Sequence, residues 1–219
     1  MTVALLAVGI VAEASVTLYT PNAGDATYGW NSKYGPYDYG VGTTTMGVGL
    51  SMGGQYGNDY TVSIFEIPIA PLVGQTVTGA TLFVESLGFG TGYWYGSASI
   101  GWLDTGSAAL TGDVVADQLG PTSTARPGGF VIYDSSSGGD AGIKSFDVLS
   151  CVQADLAAGR SYSTFVMSGS RDTGGSIYAA ESGSGPRVVA TTASVPEPAT
   201  MASLGIGLVG LLARRRRKS

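Results

Sequence analysis

The segment Tyr93-Trp94-Tyr95-Gly96-Ser97-Ala98-Ser99-Ile100-Gly101-Trp102 alternates apolar or small residues on one side with tyrosines and serines on the other. Successive side chains of a β-strand point to opposite faces, so this period of two predicts a half-buried strand. The same pattern places Ala80, Leu82 and Val84 on the buried face of another strand.

Further strands are predicted at eight places along the chain: 16–19, 45–50, 60–67, 130–133, 143–146, 162–167, 176–180 and 187–191. Clusters of Gly, Pro, Asn and Asp separate several of them, as is typical of turns. About ten short strands with turns between them predict an all-β protein, a jelly-roll-like β-sandwich.

One short helix is expected where three apolar residues recur at helical spacing, namely Leu149, Val152 and Leu156. Asp147 or Ser150 can cap its first turn, and Gly159 can end it.

The C-terminal region has three parts: the sequence Val195-Pro196-Glu197-Pro198, an uncharged run at 199–213, and five cations. The cations are Arg214, Arg215, Arg216, Arg217 and Lys218. A helix over 199–213 is about 22 Å long, short of the roughly 30 Å hydrocarbon core. Thr200 and Ser203 at one end, and basic side chains reaching toward the headgroups at the other, cover the difference. We therefore expect a C-terminal single hydrophobic transmembrane helix, with the cations in the cytoplasm and the body outside.

This three-part tail resembles a PEP-CTERM sorting domain. The resemblance implies recognition and cleavage by an exosortase-type membrane processing enzyme of a Gram-negative bacterium. The protein would be held transiently in the inner membrane and then released to the cell surface or extracellular matrix, where such bacteria commonly make exopolysaccharide. A permanent single-pass anchor is the alternative.

The N-terminal residues 1–14 are predicted to be a signal peptide, because an apolar run is followed by Ala12-Glu13-Ala14. No basic residue precedes the run, so we expect the true start to lie upstream. A buried first strand is the alternative. The predicted organisation is thus a signal peptide, a β-sandwich domain at 15–192 and a sorting signal at 193–219.

The exported body, residues 15–194, has 6 basic and 14 acidic residues and a net charge of −8. Nucleic-acid binding needs clustered Lys and Arg, so nucleic acid is excluded as a partner. The chain has no histidine and one cysteine, Cys151, which excludes imidazole-based triads, histidine zinc sites and thiolate clusters. Cys151 is expected to be a small buried group, and no organic cofactor is predicted.

Four aromatic residues are the candidates for carbohydrate binding: Trp30, Tyr34, Tyr37 and Trp94. Flat rings stack on sugar rings, and neighbouring amides or carboxylates bind their hydroxyl groups. The alternative is that these rings pack the sandwich, since aromatic residues dominate core burial.

Acidic residues offer two further kinds of site. Glycoside hydrolysis needs two carboxylates, for which Glu66, Glu85, Asp104 and Asp147 are the candidates, although surface and capping roles are the ordinary alternative. A structural Ca²⁺ ion could be held by oxygen atoms of Asp25, Asp38 and Asp59.

The order of several short segments across residues 16–192, from Asp25-Ala26 to Ala180-Glu181, is similar to DNRLRE-type jelly-roll domains of bacterial surface proteins. Some relatives of these domains bind carbohydrate. The sequence therefore predicts an exported, non-catalytic surface or matrix protein that contacts exopolysaccharide. A polysaccharide lyase or hydrolase on the same sandwich, or a purely structural adhesin, are the alternatives.

Overall fold

The computed structural model describes residues 13–31, 35–38, 44–54, 57–91, 95–103, 125–133, 139–170 and 173–193. The predicted signal peptide up to residue 12, the sorting motif, the hydrophobic helix at 199–213 and the five terminal cations lie outside these ranges. Tyr34, Trp94 and Asp104 also lie outside them.

Most of the described residues form strands, and one α-helix is present among them. The helix, α1, spans Leu149–Ala157. The strands, β1 to β12 in order, are Glu13–Tyr19, Asp25–Asn31, Gly35–Asp38, Thr45–Gly54, Gly57–Pro68, Thr76–Thr91, Tyr95–Leu103, Ala125–Tyr133, Gly142–Asp147, Tyr162–Gly169, Thr173–Tyr178 and Arg187–Ala193. The expectation of a mostly β protein with one short helix is confirmed.

The strands form one curled antiparallel sheet in which β5 and β6 each have three neighbours. Strand β5 pairs with β2 along one edge, and with β4 and then β10 along the other. Strand β6 pairs with β9 along one edge, and with β12 and then β11 along the other. Because β11 also pairs with β4, these two strands bridge a half that contains β1–β12–β6–β9 and a half that contains β2–β5–β10–β7.

The main core lies between the two halves of the curled sheet. Leu82, Val84 and Val188 come from one half, and Phe65 and Phe165 from the other, and all five are fully buried. The phenyl rings of Phe65 and Phe165 are 6.2 Å apart, within the range of favourable ring contacts. The predicted alternation in β6 is therefore confirmed, because its inward residues are the apolar ones.

The helix lies where the apolar spacing predicts it, and a single residue separates it from the end of β9. Val152 is fully buried, while Leu149 and Leu156 pack against the core from its edge. The Asp147 carboxylate accepts a hydrogen bond from the backbone amide of Leu149 at 3.0 Å, which supports the first turn. Gly159 has a φ of +69°, a conformation that favours glycine and ends the helix.

A buried carboxylate holds the helix against the sheet. The Asp155 side chain is 1% exposed, and its Oδ2 accepts a hydrogen bond from Nε1 of Trp102 in β7 at 2.9 Å. Its Oδ1 accepts from the Arg160 guanidinium, which also lies 5.6 Å from the centre of the Trp102 ring. One acceptor thus joins the helix, β7 and the segment after the helix.

We expect Asp155→Ala to lower the free energy of unfolding by about 3 kcal/mol, because the substitution leaves a buried indole N–H and a mostly buried guanidinium without their acceptor. Urea unfolding followed by tryptophan fluorescence measures the change. Asp140→Asn is the matched control, because asparagine also tolerates the φ of +61° at this position. It removes an i,i+4 ion pair with Lys144, and a loss below about 1 kcal/mol is expected. Equal losses for the two variants would contradict the role assigned to Asp155.

Candidate functional site

A row of large side chains crosses the outer face of the half that contains β1, β12, β6 and β9. Tyr19 lies directly opposite Arg187, and Arg187 lies directly opposite Phe83. Directly opposed residues of an antiparallel pair share a face of the sheet. The Tyr19 side chain is 59% exposed, and the Arg187 guanidinium carbon lies 5.5 Å from the centre of the Phe83 ring. These three residues are called the platform row below.

Small polar side chains surround the platform row. Thr17 and Thr81 lie on either side of Val189 in the next row of the same face, and Asp147 lies beyond Thr81 on β9. Thr17 and Asp147 are exposed, and Thr81 is partly exposed. The face therefore presents two aromatic rings, one cation and several hydrogen-bonding groups.

Charge on this face is uneven. Arg187 forms no ion pair with any residue in the described part of the chain. Glu85 lies on the same face, two residues beyond Phe83 in β6 and opposite the exposed Ile143. A diagonal neighbour of this kind is about 7 to 8 Å away, so the carboxylate is near the guanidinium without pairing with it.

The other half of the sheet has no comparable open face in its central strands. Ala26, Tyr28, Ile64, Leu103 and Val166 form a second apolar cluster on the side of β2, β5, β10 and β7 that faces away from the main core. Each of these side chains is at most 6% exposed. Among the described residues, the open apolar and aromatic surface is therefore concentrated on the β1–β12–β6–β9 half.

The residues that the sequence singled out for carbohydrate binding are only partly described. Trp30 and Tyr37 lie on the paired strands β2 and β3, where Trp30 is opposite Pro36 and Tyr37 is opposite Gly29. Their backbones are thus one position apart in register, and their side chains lie outside the described residues. Tyr34 and Trp94 lie wholly outside, so binding by these four residues stays a prediction.

The three candidate catalytic carboxylates within the described residues do not converge. Glu66 is 2% exposed and lies in β5, in the other half of the sheet. Glu85 and Asp147 share the outer face, but Asp147 lies opposite Thr81, four residues from Glu85 along β6. Four residues of strand span about 13 Å, more than the 5 to 10 Å between the carboxyl groups of glycosidases.

Two residues of the calcium site expected from Asp25, Asp38 and Asp59 do not come together in the described part of the chain, and the Asp38 side chain lies outside it. Asp25 lies opposite Phe65 in β5, and Asp59 lies six residues earlier in the same strand. Six residues of strand span about 20 Å, so these carboxylates cannot bind one ion together. Within the described residues, no group of three acidic, histidine or cysteine side chains could hold a metal ion.

Cys151 is buried in the main core, as expected, and is a free thiol. Burial raises the pKa of the thiol, and the nearby carboxylates of Asp155 and Asp147 raise it further, against a hydrogen bond from Ser150 that lowers it. The thiol is therefore kept protonated and away from solvent, which disfavours nucleophilic chemistry.

The buried carboxylate of Asp25 connects the start of β2 to the segment before β12. The sequence indicated Asp25 only as one of three calcium ligands and did not predict this contact. Asp25 is 3% exposed, and its Oδ2 accepts a hydrogen bond from the backbone amide of Ala180 at 2.6 Å. Burial raises the pKa of Asp25 to about 6. The Ala180 hydrogen bond opposes this shift, and the negative charge of Glu181 adds to it. The Oε2 atom of Glu181 is buried without a hydrogen-bond partner among the described residues.

Comparison with known protein families identifies the C-terminal region. Residues 194–218 match the PEP-CTERM protein-sorting motif. This chain carries a PEP-CTERM sorting motif. The motif begins one residue after β12 ends at Ala193. A PEP-CTERM motif marks an exported protein that an exosortase-type enzyme processes at the cell envelope or surface.

The remaining comparisons add little to the PEP-CTERM assignment. No curated protein matches the sequence. A solved structure of latent aurone synthase (polyphenol oxidase) from natural source is similar at 13% identity and a TM-score of 0.32, over 59% of this chain and 24% of that one. This chain thus spans about a quarter of that protein, and a similarity this low supports no statement about fold or activity.

The PEP-CTERM motif itself, with the hydrophobic helix predicted at 199–213, lies beyond the described residues. Within those residues, no helix has both the length and the apolar character needed to span a bilayer.

We expect the free energy of unfolding to fall as the pH rises from about 4 to above 6. Asp25 has a pKa of about 6 in the folded protein against 3.8 for an unperturbed aspartate, so the folded state binds more protons in this window. The contribution of Asp25 to stability is therefore greatest below pH 4 and is lower above pH 6, by up to roughly 3 kcal/mol. Urea unfolding at a series of pH values measures the effect.

Asp25→Asn isolates the contribution of Asp25, because the amide oxygen can still accept the Ala180 hydrogen bond and does not titrate. The difference in stability between this variant and the wild type should vary between pH 4 and 7. A difference that stays constant across this range would contradict the raised pKa.

Proposed function

We propose that the body of this exported protein is non-catalytic and contacts exopolysaccharide at the cell surface or in the extracellular matrix of a Gram-negative bacterium. The observation that carries this proposal is the direct joining of an export and processing motif to an all-β body with an open aromatic face. A protein delivered to the envelope meets polysaccharide there, and aromatic rings beside hydroxyl and charged groups suit sugar contact.

The chemistry of the chain supports a role without catalysis. The chain has no histidine, which removes the most common general acid and base at neutral pH. Glu85 and Asp147 share a face but are about 13 Å apart along the strands, which is too far for the paired carboxylates of a glycosidase. An exposed strand face also suits binding along a polymer better than it suits enclosure of a reacting bond.

The sorting tail supports the proposed route to the surface. Before processing, the helix at 199–213 would span the inner membrane, with Arg214–Arg217 and Lys218 held on the cytoplasmic side. Cleavage near the Pro-Glu-Pro sequence would then release the body, whose last described strand, β12, ends at Ala193.

We expect the exported protein to lack every residue beyond the Pro-Glu-Pro region, as intact mass spectrometry of the surface fraction would show. Replacing both Pro196 and Pro198 with Ala should leave the tail uncut and the protein in the membrane fraction, because the extended backbone needed by a processing enzyme is lost. Ser194→Ala is the matched control, and normal processing is expected. Full processing of the double variant would contradict the assigned role of these prolines.

We expect the purified exported protein to bind polysaccharide without shortening it. Co-sedimentation with insoluble exopolysaccharide from the producing cells measures binding, and size-exclusion chromatography of the polymer after incubation measures cleavage. A fall in polymer length would instead favour the lyase or hydrolase. Absence of binding to any polysaccharide would remove the proposed function.

A further inference from the structure

We infer that the platform row, Tyr19, Arg187 and Phe83, binds a polysaccharide chain whose sugars carry carboxylate groups. The inference rests on the proposed function and adds to it the binding surface and the chemical class of the ligand. It differs from the sequence-based expectation, which placed binding at Trp30, Tyr34, Tyr37 and Trp94.

The spacing of the platform row suits a polymer of sugar rings. Tyr19, Arg187 and Phe83 occupy directly opposed positions on three adjacent strands. Neighbouring strands are about 4.8 Å apart, so the two aromatic residues are about 10 Å apart with the guanidinium between them. A chain lying across the strands can therefore place a sugar against the exposed Tyr19 ring and an acidic substituent against the cation, which lies over the Phe83 ring.

The charge state of Arg187 points to an anionic ligand. The guanidinium forms no ion pair in the described part of the chain, although Glu85 lies diagonally across from it on the same face. It lies 5.5 Å from the centre of the Phe83 ring, which keeps the planar group beside the aromatic surface. A guanidinium in this position still has N–H groups that can donate two parallel hydrogen bonds to a carboxylate of the ligand.

Two carboxylates of the protein on the same face determine where the acidic sugars of the bound chain lie. Glu85 and Asp147 lie on the β6 and β9 side of Arg187, whereas Tyr19 and Thr17 on the β1 side are uncharged. Repulsion from the two carboxylates favours placing the acidic sugars over Arg187 and β1. The body also has a net charge of −8, so binding depends on close contact with the row and not on long-range attraction.

Processing of the tail leaves the platform row intact. Arg187 is the first residue of β12, seven residues before the sorting motif begins, and Tyr19 and Phe83 lie much earlier in the chain. Cleavage anywhere within the motif therefore releases a body that still carries all three side chains.

The test measures the affinity of the full exported protein for two soluble probes, polygalacturonate as a carboxylated polysaccharide and dextran as a neutral one. We expect binding to polygalacturonate to exceed binding to dextran. Arg187→Gln and Tyr19→Ala should each weaken polygalacturonate binding about tenfold, the loss expected for one charge-assisted contact or one stacking ring. Glu85→Gln should strengthen it, because a like charge beside the ligand is removed.

Two controls match these substitutions. Lys144→Gln removes a cation from β9, and Val73→Ala truncates an apolar side chain that is 68% exposed in the turn before β6, away from the platform row. Both should bind like the wild type. Equal urea midpoints for the wild type and the platform variants show that a loss of binding does not come from unfolding.

The outcomes separate this inference from the proposed function. If Arg187→Gln and Tyr19→Ala bind polygalacturonate like the wild type while Trp30→Ala does not, the platform row is not the site and the proposed function survives. If dextran binds as well as polygalacturonate and Arg187→Gln has no effect, the acidic ligand is wrong. If the wild type binds neither these probes nor the native exopolysaccharide, the proposed function fails together with the inference.

Discussion

The fold depends on strand β6, whose sixteen residues pair with three other strands and supply the inner wall of one half of the sheet. Its inward residues, including Leu82 and Val84, are fully buried against side chains from the opposite half. Because side chains alternate along a strand, burying these residues forces Thr81, Phe83 and Glu85 outward. The apolar core and the open face are therefore two consequences of a single register.

The curl of the sheet requires close backbone packing near the end of β6. Gly88 has a φ of +127°, and the register between β6 and β11 shifts just before it, between Ser86 and Gly88. Phe89 then points inward, directly over Gly175 in β11. A Cβ atom at Gly175 would lie 2.4 Å from the phenyl ring, so only glycine fits. These glycines let β6 turn from β12 to β11 while the core remains filled.

Period-two alternation predicted the strands of the core well, because a strand that is buried on one face has apolar residues at every second position. Residues 80–84 and the segment around Ala98 and Ile100 are examples, and the helix was visible from Leu149, Val152 and Leu156 for the same reason. The alternation did not predict β2 and β3, because their sequences are rich in glycine and tyrosine and lack alternating apolar residues, as is typical of a loop. Strand ends were also underestimated, since Gly and Thr continue β6 through backbone pairing without an apolar signal.

The platform row could not be predicted from sequence because its three residues are separated by up to 168 positions and meet only through register. Tyr19 and Arg187 were each within a predicted strand, but nothing in their local sequence indicates that these strands are neighbours. Asp25 is similar. Its burial follows from the approach of Ala180, 155 residues away. The PEP-CTERM tail was readable because its information is contained in one short continuous stretch.

The order of the strands constrains how the molecule can reach its final state. Strand β12 lies between β1 and β6, and Ala193 at its end pairs with Glu13 at the start of β1. This half of the sheet consequently cannot close until the last strand has crossed the membrane. During translocation β1 and β6 have no strand between them, and the nascent domain must remain open until its carboxyl-terminal strand arrives. Assembly of this half thus finishes with its carboxyl-terminal strand, and the two ends of the domain come to lie side by side.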